Sequence, residues 1–373
     1  MKIAYVCYWN LSAKDGVSSK VETQVRYWRA AGNEVEVFSL ARAAELDPAS
    51  AVDGRSFAFA GLRSRFAATK GLEEAVVGCG PDLVYLRYDL FLPPLPRLLA
   101  ACPTAVEINT ADRHEVRLRE LRSRTVRLYN ELNRRRILGR AAGFVCVTHE
   151  LARSSDVASF GKPTVVIANA IDLAQVTPHP SEPGDRPRLV FLGSRRQPWH
   201  GADKIVFLAR AMPEAEFDIA GYLPDDLGPD LPPNVRVHGV LSSAEYEPLL
   251  ARADVGIGTL ALHRKRMSEA SPLKVREYLA HGLPVVLGYE DTDFLDEGPW
   301  FLLRLPNHEH NVEESLAAIR EFVARVRGHR VHRAEVADRI GADVKERRRL
   351  EFFERLTGSP AASSAYAEPS VSR

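Results

Sequence analysis

The stretch IAYVCYWNLSAKDGVSSKVETQVRYWRAAGNEVEVFS, Ile3–Ser39, reads as one βαβ unit. Ile3–Tyr8 is a continuous apolar run, as expected for a parallel strand covered on both faces. Val21, Val25 and Trp28 then fall at i, i+4 and i+7, one face of a helix, and Gly32 follows as a stop signal. Val35–Ser39 is a second apolar run. Strand, crossover helix and parallel strand in this order specify an α/β domain.

Outward from this unit the pattern repeats. Leu83–Leu86, Thr104–Ile108, Phe144–Thr148 and Thr164–Ile167 read as further strands. Thr177–Arg188, TPHPSEPGDRPR, holds four prolines and one glycine and reads as a linker. The alternation then restarts, with strands at Leu189–Leu192, Phe217–Ala220, Val235–His238, Val255–Gly258 and Pro284–Leu287. Helices are expected at Ala202–Ala211, Ala244–Ala251 and Pro272–His281. Leu316, Ile319, Val323 and Val326 make one apolar stripe, and a charged helix follows to about Leu356. Gly358–Arg373 is rich in Ser, Ala and Pro and reads as a disordered tail. The expected fold is therefore α/β, with two doubly wound Rossmann-like domains facing across a cleft and a C-terminal helix packing back on the first. The expected divisions are a first domain at 1–176, a linker at 177–188, a second domain at 189–338, the returning helix at 339–357 and the tail at 358–373.

Composition narrows the function. The 373 residues are 45% hydrophobic and 27% charged, enough to bury sizeable cores. Fifty Lys and Arg against 49 Asp and Glu leave a net charge of +1, which argues against a nucleic-acid binder working by bulk charge. No apolar run is long enough to span a membrane. The N-terminal run lacks a cleavage site and reads as a strand, so a cytoplasmic location is expected. Cys7, Cys79, Cys102 and Cys146 are widely spaced, fitting reduced thiols better than a disulfide framework or a zinc site.

Neither G-x-G-x-x-G nor a P-loop occurs, which argues against the commonest nicotinamide and ATP sites. His114-Glu115 has no second His nearby to complete a metal motif and reads as a surface pair. Asp291-Thr292-Asp293 reads as a solvated loop. Ser268–Val286, SEASPLKVREYLAHGLPVV, carries more. Ser271 suits an N-cap, Pro272 the first helical position and Gly282 the position past the end. Such a helix start is an anion site. Lys274 in its first turn is disfavoured by the helix dipole, and a bound phosphate would explain it. Glu269 in the loop and Glu277 on the helix flank that site and suit hydroxyl-rich groups.

Glu269, seven residues and Glu277, followed by Gly282-Leu283-Pro284-Val285-Val286, resemble glycosyltransferase family 4 and its GT-B relatives. Trp28–Val35, Ile167–Asp172, Phe191–Gly201, Val237–Val240 and Ala253–Val255 resemble further family segments in the same order, over nearly the whole chain. The resemblance implies a retaining hexosyltransferase that moves a sugar from a nucleotide-diphosphate sugar, without metal or other cofactor, to a glycan, lipid-linked or small-molecule acceptor. It implies that Glu277 holds the ribose and Glu269 the donor-sugar hydroxyls. The backbone of Ala270, Ser271, Pro272 and Leu273 meets the sugar and phosphates, Gly221 and Val240 lie beside the nucleoside, and Gly16 and Gly193 admit the diphosphate. Where the family carries Arg and Lys for the diphosphate, this chain has Ser194 and His200. Arg195, Arg196 or His200 can supply that clamp alongside Lys274. Where relatives carry a His after the strand at Thr104–Ile108, this chain has Asn109, which cannot act as a base. That fits a leaving phosphate that takes the acceptor's proton.

Two other readings use the same features: a nucleotide-sugar 2-epimerase of this fold, and a two-domain solute-binding protein. Arg113–Arg140 holds ten Arg and three Glu with apolar residues between, and Arg63, Arg65 and Lys70 extend the basic patch. This is either a surface helix pair packed on the first domain or a basic amphipathic face for anionic lipid, at the inner membrane, or for a polyanionic acceptor.

Overall fold

A computed structural model describes all residues except 12–14, 46–52, 91, 114–123, 179, 181–183, 297 and 359–373. The His114-Glu115 pair, part of the basic segment, part of the linker and the tail after Gly358 lie outside the described residues.

The first sheet has seven parallel strands: β1 (Lys2–Cys7), β2 (Glu34–Arg42), β3 (Arg55–Phe59), β4 (Leu83–Arg87), β5 (Thr104–Ile108), β6 (Gly143–Cys146) and β7 (Thr164–Val166), in the order β3-β2-β1-β4-β5-β6-β7. The order reverses direction at β1, and such a switch opens a crevice at the carboxyl ends of the strands. The helix Gly16–Ala30 starts there, and Asp15 caps it by accepting from the N–H groups of Val17 and Ser18. Val21, Val25 and Trp28 on its inner face are buried, as the spacing predicts.

The second sheet is also parallel. It comprises β8 (Arg188–Leu192), β9 (Glu216–Ala220), β10 (Val235–Val237), β11 (Val255–Ile257), β13 (Val285–Leu287) and β15 (Leu302–Arg304), in the order β10-β9-β8-β11-β13-β15. The short strands β12 (Glu269–Ala270) and β14 (Glu290–Asp291) pair separately. Strands β3 and β15 have no counterpart in the sequence reading. Both lie at sheet edges, where half-exposed strands lack the continuous apolar run that marks the inner ones.

The last helix, Ala342–Thr357, returns to the first domain. Phe352 and Phe353 are buried there, Phe353 edge-on to Trp28 at 5.3 Å, and Trp28 Nε1 donates to Glu346 at 2.8 Å. The helix Arg124–Arg140 buries Ile137 and Leu138 and leaves Leu128 and Leu132 exposed. Its basic character is partly neutralised. Arg134 is buried against Asp112, and Arg113 and Arg135 pair with Glu131. No disulfide forms: all four cysteines are free, Cys7 and Cys146 buried and Cys79 and Cys102 half-buried.

Candidate active site

A cavity of about 520 Å³ lies between the two domains. Its first-domain wall comes from the carboxyl ends of β1, β4, β5 and β6 and the start of the Gly16–Ala30 helix. Its second-domain wall comes from the loop after β8 and the start of the helix Leu273–Ala280. The two helix starts meet. A side chain on Gly16 would crowd Leu273 Cδ1 at 3.1 Å, so glycine lets two positive dipole ends approach one space. Gly16, Asn109, Gly193, His200, Ala270, Ser271, Pro272, Leu273, Lys274 and Glu277 all line the cavity.

The helix start differs from the expected one. Pro272 takes the N-cap position, helical geometry begins at Leu273, and no side chain caps the helix. Ser271 Oγ is drawn elsewhere: it accepts from the Asn169 N–H at 2.9 Å and from Arg276 at 2.8 Å. The Leu273 and Lys274 N–H groups therefore receive no side-chain acceptor and stay available to an anion, while the Val275 N–H donates to the Pro272 carbonyl at 3.2 Å.

Lys274 is the site's most unusual group. Its ammonium is buried, has no hydrogen-bond partner among the described residues, and stands 4.2 Å from the centroid of the Phe191 ring. Burial pushes its pKa down to about 7. An unpaired buried ammonium is costly, and a buried anion is what would relieve it.

His200 is not the cation that a phosphate clamp would need. Burial, with Lys274 and Lys265 nearby, holds its pKa well below the ordinary histidine range. Nδ1 accepts from the Ser194 N–H at 3.4 Å and meets the Tyr222 hydroxyl at 3.2 Å, which leaves the ring proton on Nε2. Arg195 and Arg196 stand outside the cavity. Arg195 pairs with Asp226 at 2.7 Å, and Arg196 is an exposed residue in the left-handed region at φ 58°.

Glu277 lies on the cavity wall, where burial raises its pKa to about 6 against the opposing effect of the Tyr246 hydroxyl. Glu269 is buried and already engaged. Its carboxylate accepts from the N–H groups of His149 at 2.9 Å and Glu150 at 2.7 Å, across the domain junction. Gly221 and Val240 do not line the cavity. Gly221, at φ 86°, packs against the Gly193 carbonyl so closely that a Cβ would collide with it, and Val240 is 76% exposed.

The Asp291-Thr292-Asp293 segment is not a solvated loop. Asp291 is fully buried and pairs with Arg276 at 2.7 and 2.9 Å, while Asp293 pairs with Arg276 and Lys345. Both carboxylates are spent on cations, so the pair is part of the scaffold. Among the described residues no three His, Cys, Asp or Glu gather as a metal set.

The sequence reading missed the first-domain floor. Lys20 Nζ donates to Glu107 at 2.7 Å, Asn169 at 2.8 Å and Asn109 at 3.2 Å. Burial lowers its pKa to about 8, and Lys20, with Arg87 and Arg349, holds the Glu107 carboxyl well below the usual range. One signal was legible: Glu107 sits between Val106 and Ile108 in a strand buried on both faces, where a charge needs a partner.

Residues 14–175 match the family model described as Glycosyltransferase Family 4. No curated protein matches the sequence. Among solved structures the chain is similar to sucrose-phosphate synthase from Thermosynechococcus elongatus, with TM-score 0.69 at 14% identity over 96% of this chain and 100% of that one. It is similar to the pneumococcal O-GlcNAc transferase GtfA in complex with UDP and GlcNAc, with TM-score 0.61 at 11% identity over 95% and 99%. It is also similar to UDP-GlcNAc 2-epimerase from Neisseria meningitidis bound to UDP-GlcNAc, with TM-score 0.53 at 12% identity over 95% and 100%. At these identities the likeness is one of fold. Residues 14–175 thus carry the family 4 match, and the chain as a whole has the two-domain GT-B fold of these structures.

Proposed function

We propose that the chain transfers a sugar, with retention, from a nucleotide-diphosphate sugar to a hydroxyl of a glycan, lipid-linked or small-molecule acceptor, without a bound metal ion. The unpartnered Lys274 ammonium beside an uncapped helix start carries this reading. The bond from the anomeric carbon to the phosphate oxygen breaks, and its electron pair goes to the nucleoside diphosphate. The acceptor oxygen bonds to the same carbon, and its proton goes to the leaving phosphate, since Asn109 offers no base. Lys274 and the first-turn N–H groups face the charge that develops on the phosphate. A preorganised donor of this kind contributes about 3–4 kcal/mol to the barrier reduction. His200 adds one neutral N–H. Glu277 accepts ribose hydroxyls, and Glu269 reaches sugar hydroxyls when it leaves the His149 and Glu150 N–H groups. This reading assigns no role to Arg195 and Arg196, which lie outside the cavity lining.

No helix among the described residues is long and apolar enough to cross a membrane. Exposed Leu128 and Leu132 on the basic helix Arg124–Arg140 would give a lipid-linked acceptor a peripheral membrane contact. Vesicle binding that weakens with added salt supports it; salt-independent or absent binding removes it.

The test is donor hydrolysis and transfer with a panel of nucleotide-diphosphate sugars, with and without acceptors. Turnover that needs an acceptor, retains the anomeric configuration and persists in chelator supports the proposal. Interconversion of the donor sugar without acceptor would establish the epimerase reading, and binding without turnover the solute-binding one.

A further inference from the structure

Arg87 ends β4 at the cavity, beside Glu107 in register on β5. Its guanidinium has no hydrogen bond among the described residues. The nearest carboxylate oxygen, Glu107 Oε2, is 3.7 Å away, beyond hydrogen-bonding reach. Glu107 is already occupied: Oε1 accepts from Lys20, and Oε2 accepts from Asn109 Nδ2 at 3.1 Å. Lys20 in turn spends its three donors on Glu107, Asn109 and Asn169. Asp89, the other nearby carboxylate, accepts from the Leu90 N–H at 2.6 Å. Arg87 Cζ also lies over the Trp9 ring, 5.8 Å from its centroid, within cation–π range. Trp9, Asn109 and Thr110 share this wall with it.

We propose that the acceptor carries an anionic group, a carboxylate or a phosphate, and that Arg87 is the residue that reads it. A guanidinium over an indole with unused donors fits either group bidentately. The assignment rests on the transferase reading and adds the acceptor's charge to it. Arg87 is on the first-domain wall, whereas Lys274 and its helix start belong to the second-domain wall. The two cations thus serve two ligands.

The experiment uses wild type and Arg87→Gln, each saturated with whichever of UDP, GDP, ADP, dTDP and CDP binds. Glucose 6-phosphate, glucuronate and glucose are then titrated by calorimetry. One of the two anions should bind the loaded wild type about tenfold or more tighter than glucose, the scale of hydrogen bonds to a charged group. The anion that wins identifies phosphate or carboxylate. Arg87→Gln should erase that preference while nucleotide affinity stays within about twofold. If that variant fails to fold, Arg87→Lys should keep a weakened preference, since its point charge lacks the fork. Equal binding of glucose and both anions, a preference that survives Arg87→Gln, or no saturation by roughly 20 mM anion would overturn the assignment. Failure of all five nucleotides instead overturns the transferase reading, and this assignment falls with it.

Discussion

Glu150 and Glu269 cap each other's backbone across the domain junction. Glu269 accepts from the N–H groups of His149 and Glu150, and Glu150 Oε2 accepts from those of Ser268 at 2.9 Å and Glu269 at 2.8 Å. Glu150 opens the helix His149–Arg153, where a carboxylate also meets the positive dipole end. This reciprocal clamp ties the two domains through two side-chain carboxylates and four backbone N–H groups. Replacing Glu150 by Ala removes two charge-assisted bonds and should cost about 1–3 kcal/mol of interdomain docking. Small-angle scattering should then show a larger radius of gyration, with far-ultraviolet dichroism unchanged. An unchanged radius would mean that the remaining contacts, among them the hydrogen bonds of Glu269, Ser271 and Arg276, hold the domains together without Glu150.

Lys274 makes opposite predictions for stability and binding. Lys274→Met removes an unpaired buried ammonium and should raise stability by about 1–3 kcal/mol. It should also weaken nucleoside diphosphate binding by about tenfold or more. A purely structural lysine would lower stability and leave binding unchanged. Urea unfolding and calorimetry on the same preparations read both.

The depressed Lys274 pKa adds a pH signature. The unfolded chain binds this proton more tightly than the folded one, so the stability attached to Lys274 grows between about pH 7 and its ordinary value near 10.5, and is lost as pH falls through 7. An anion that restores the ammonium must bring a proton with it. Nucleotide binding at about pH 8 should take up as much as one proton, visible as a heat that varies with buffer ionisation enthalpy. Lys274→Met should lose the uptake.

Glu277 titrates in the reverse sense. Its folded pKa of about 6 lies above the ordinary 4.5, so its contribution favours the folded state at low pH and is lost as pH rises through 6. Ribose hydroxyls need the ionised carboxylate as acceptor. Nucleotide affinity should therefore fall as pH drops below 6, while Glu277→Gln should be weaker throughout and flat over that range. A wild-type affinity that does not fall from pH 6 to pH 5, where Lys274 is already protonated, would remove Glu277 from the ribose site.

Arg276 carries a structural prediction. Its fully buried guanidinium bonds Asp291, Asp293, Ser271 Oγ and the Asn169 carbonyl, and so ties the cleft helix to both domains. Arg276→Met leaves two buried carboxylates with reduced compensation and should cost about 3–5 kcal/mol in urea unfolding. A loss below about 1 kcal/mol would show that the cluster is already hydrated.

The inner strands were legible because parallel strands covered on both faces read as near-continuous apolar runs, as Ile3–Tyr8 shows. The cleft helix was legible from Pro272 and Gly282, and Lys274 from its conflict with the dipole. What escaped was set by tertiary contacts. Ser271 has the chemistry of a cap but bonds Asn169 and Arg276 instead. Asp291 and Asp293 look solvated until Arg276 and Lys345 arrive from other elements. His200 sits where a cation was expected, yet burial keeps it neutral. Arg87 and Lys20 are single charges in chain order and form a cluster only when β4, β5 and the first helix meet.

The decisive measurement is thermal unfolding of wild type, Lys274→Met and Glu277→Gln against UDP, GDP, ADP, dTDP and CDP. A nucleotide at about 100 times its Kd adds roughly 2.7 kcal/mol, which is several degrees for domains of this size. One nucleotide should stabilise the wild type by that amount and neither variant should respond comparably. No shift with any of the five, or equal shifts in all three proteins, would contradict a donor site built on Lys274 and Glu277.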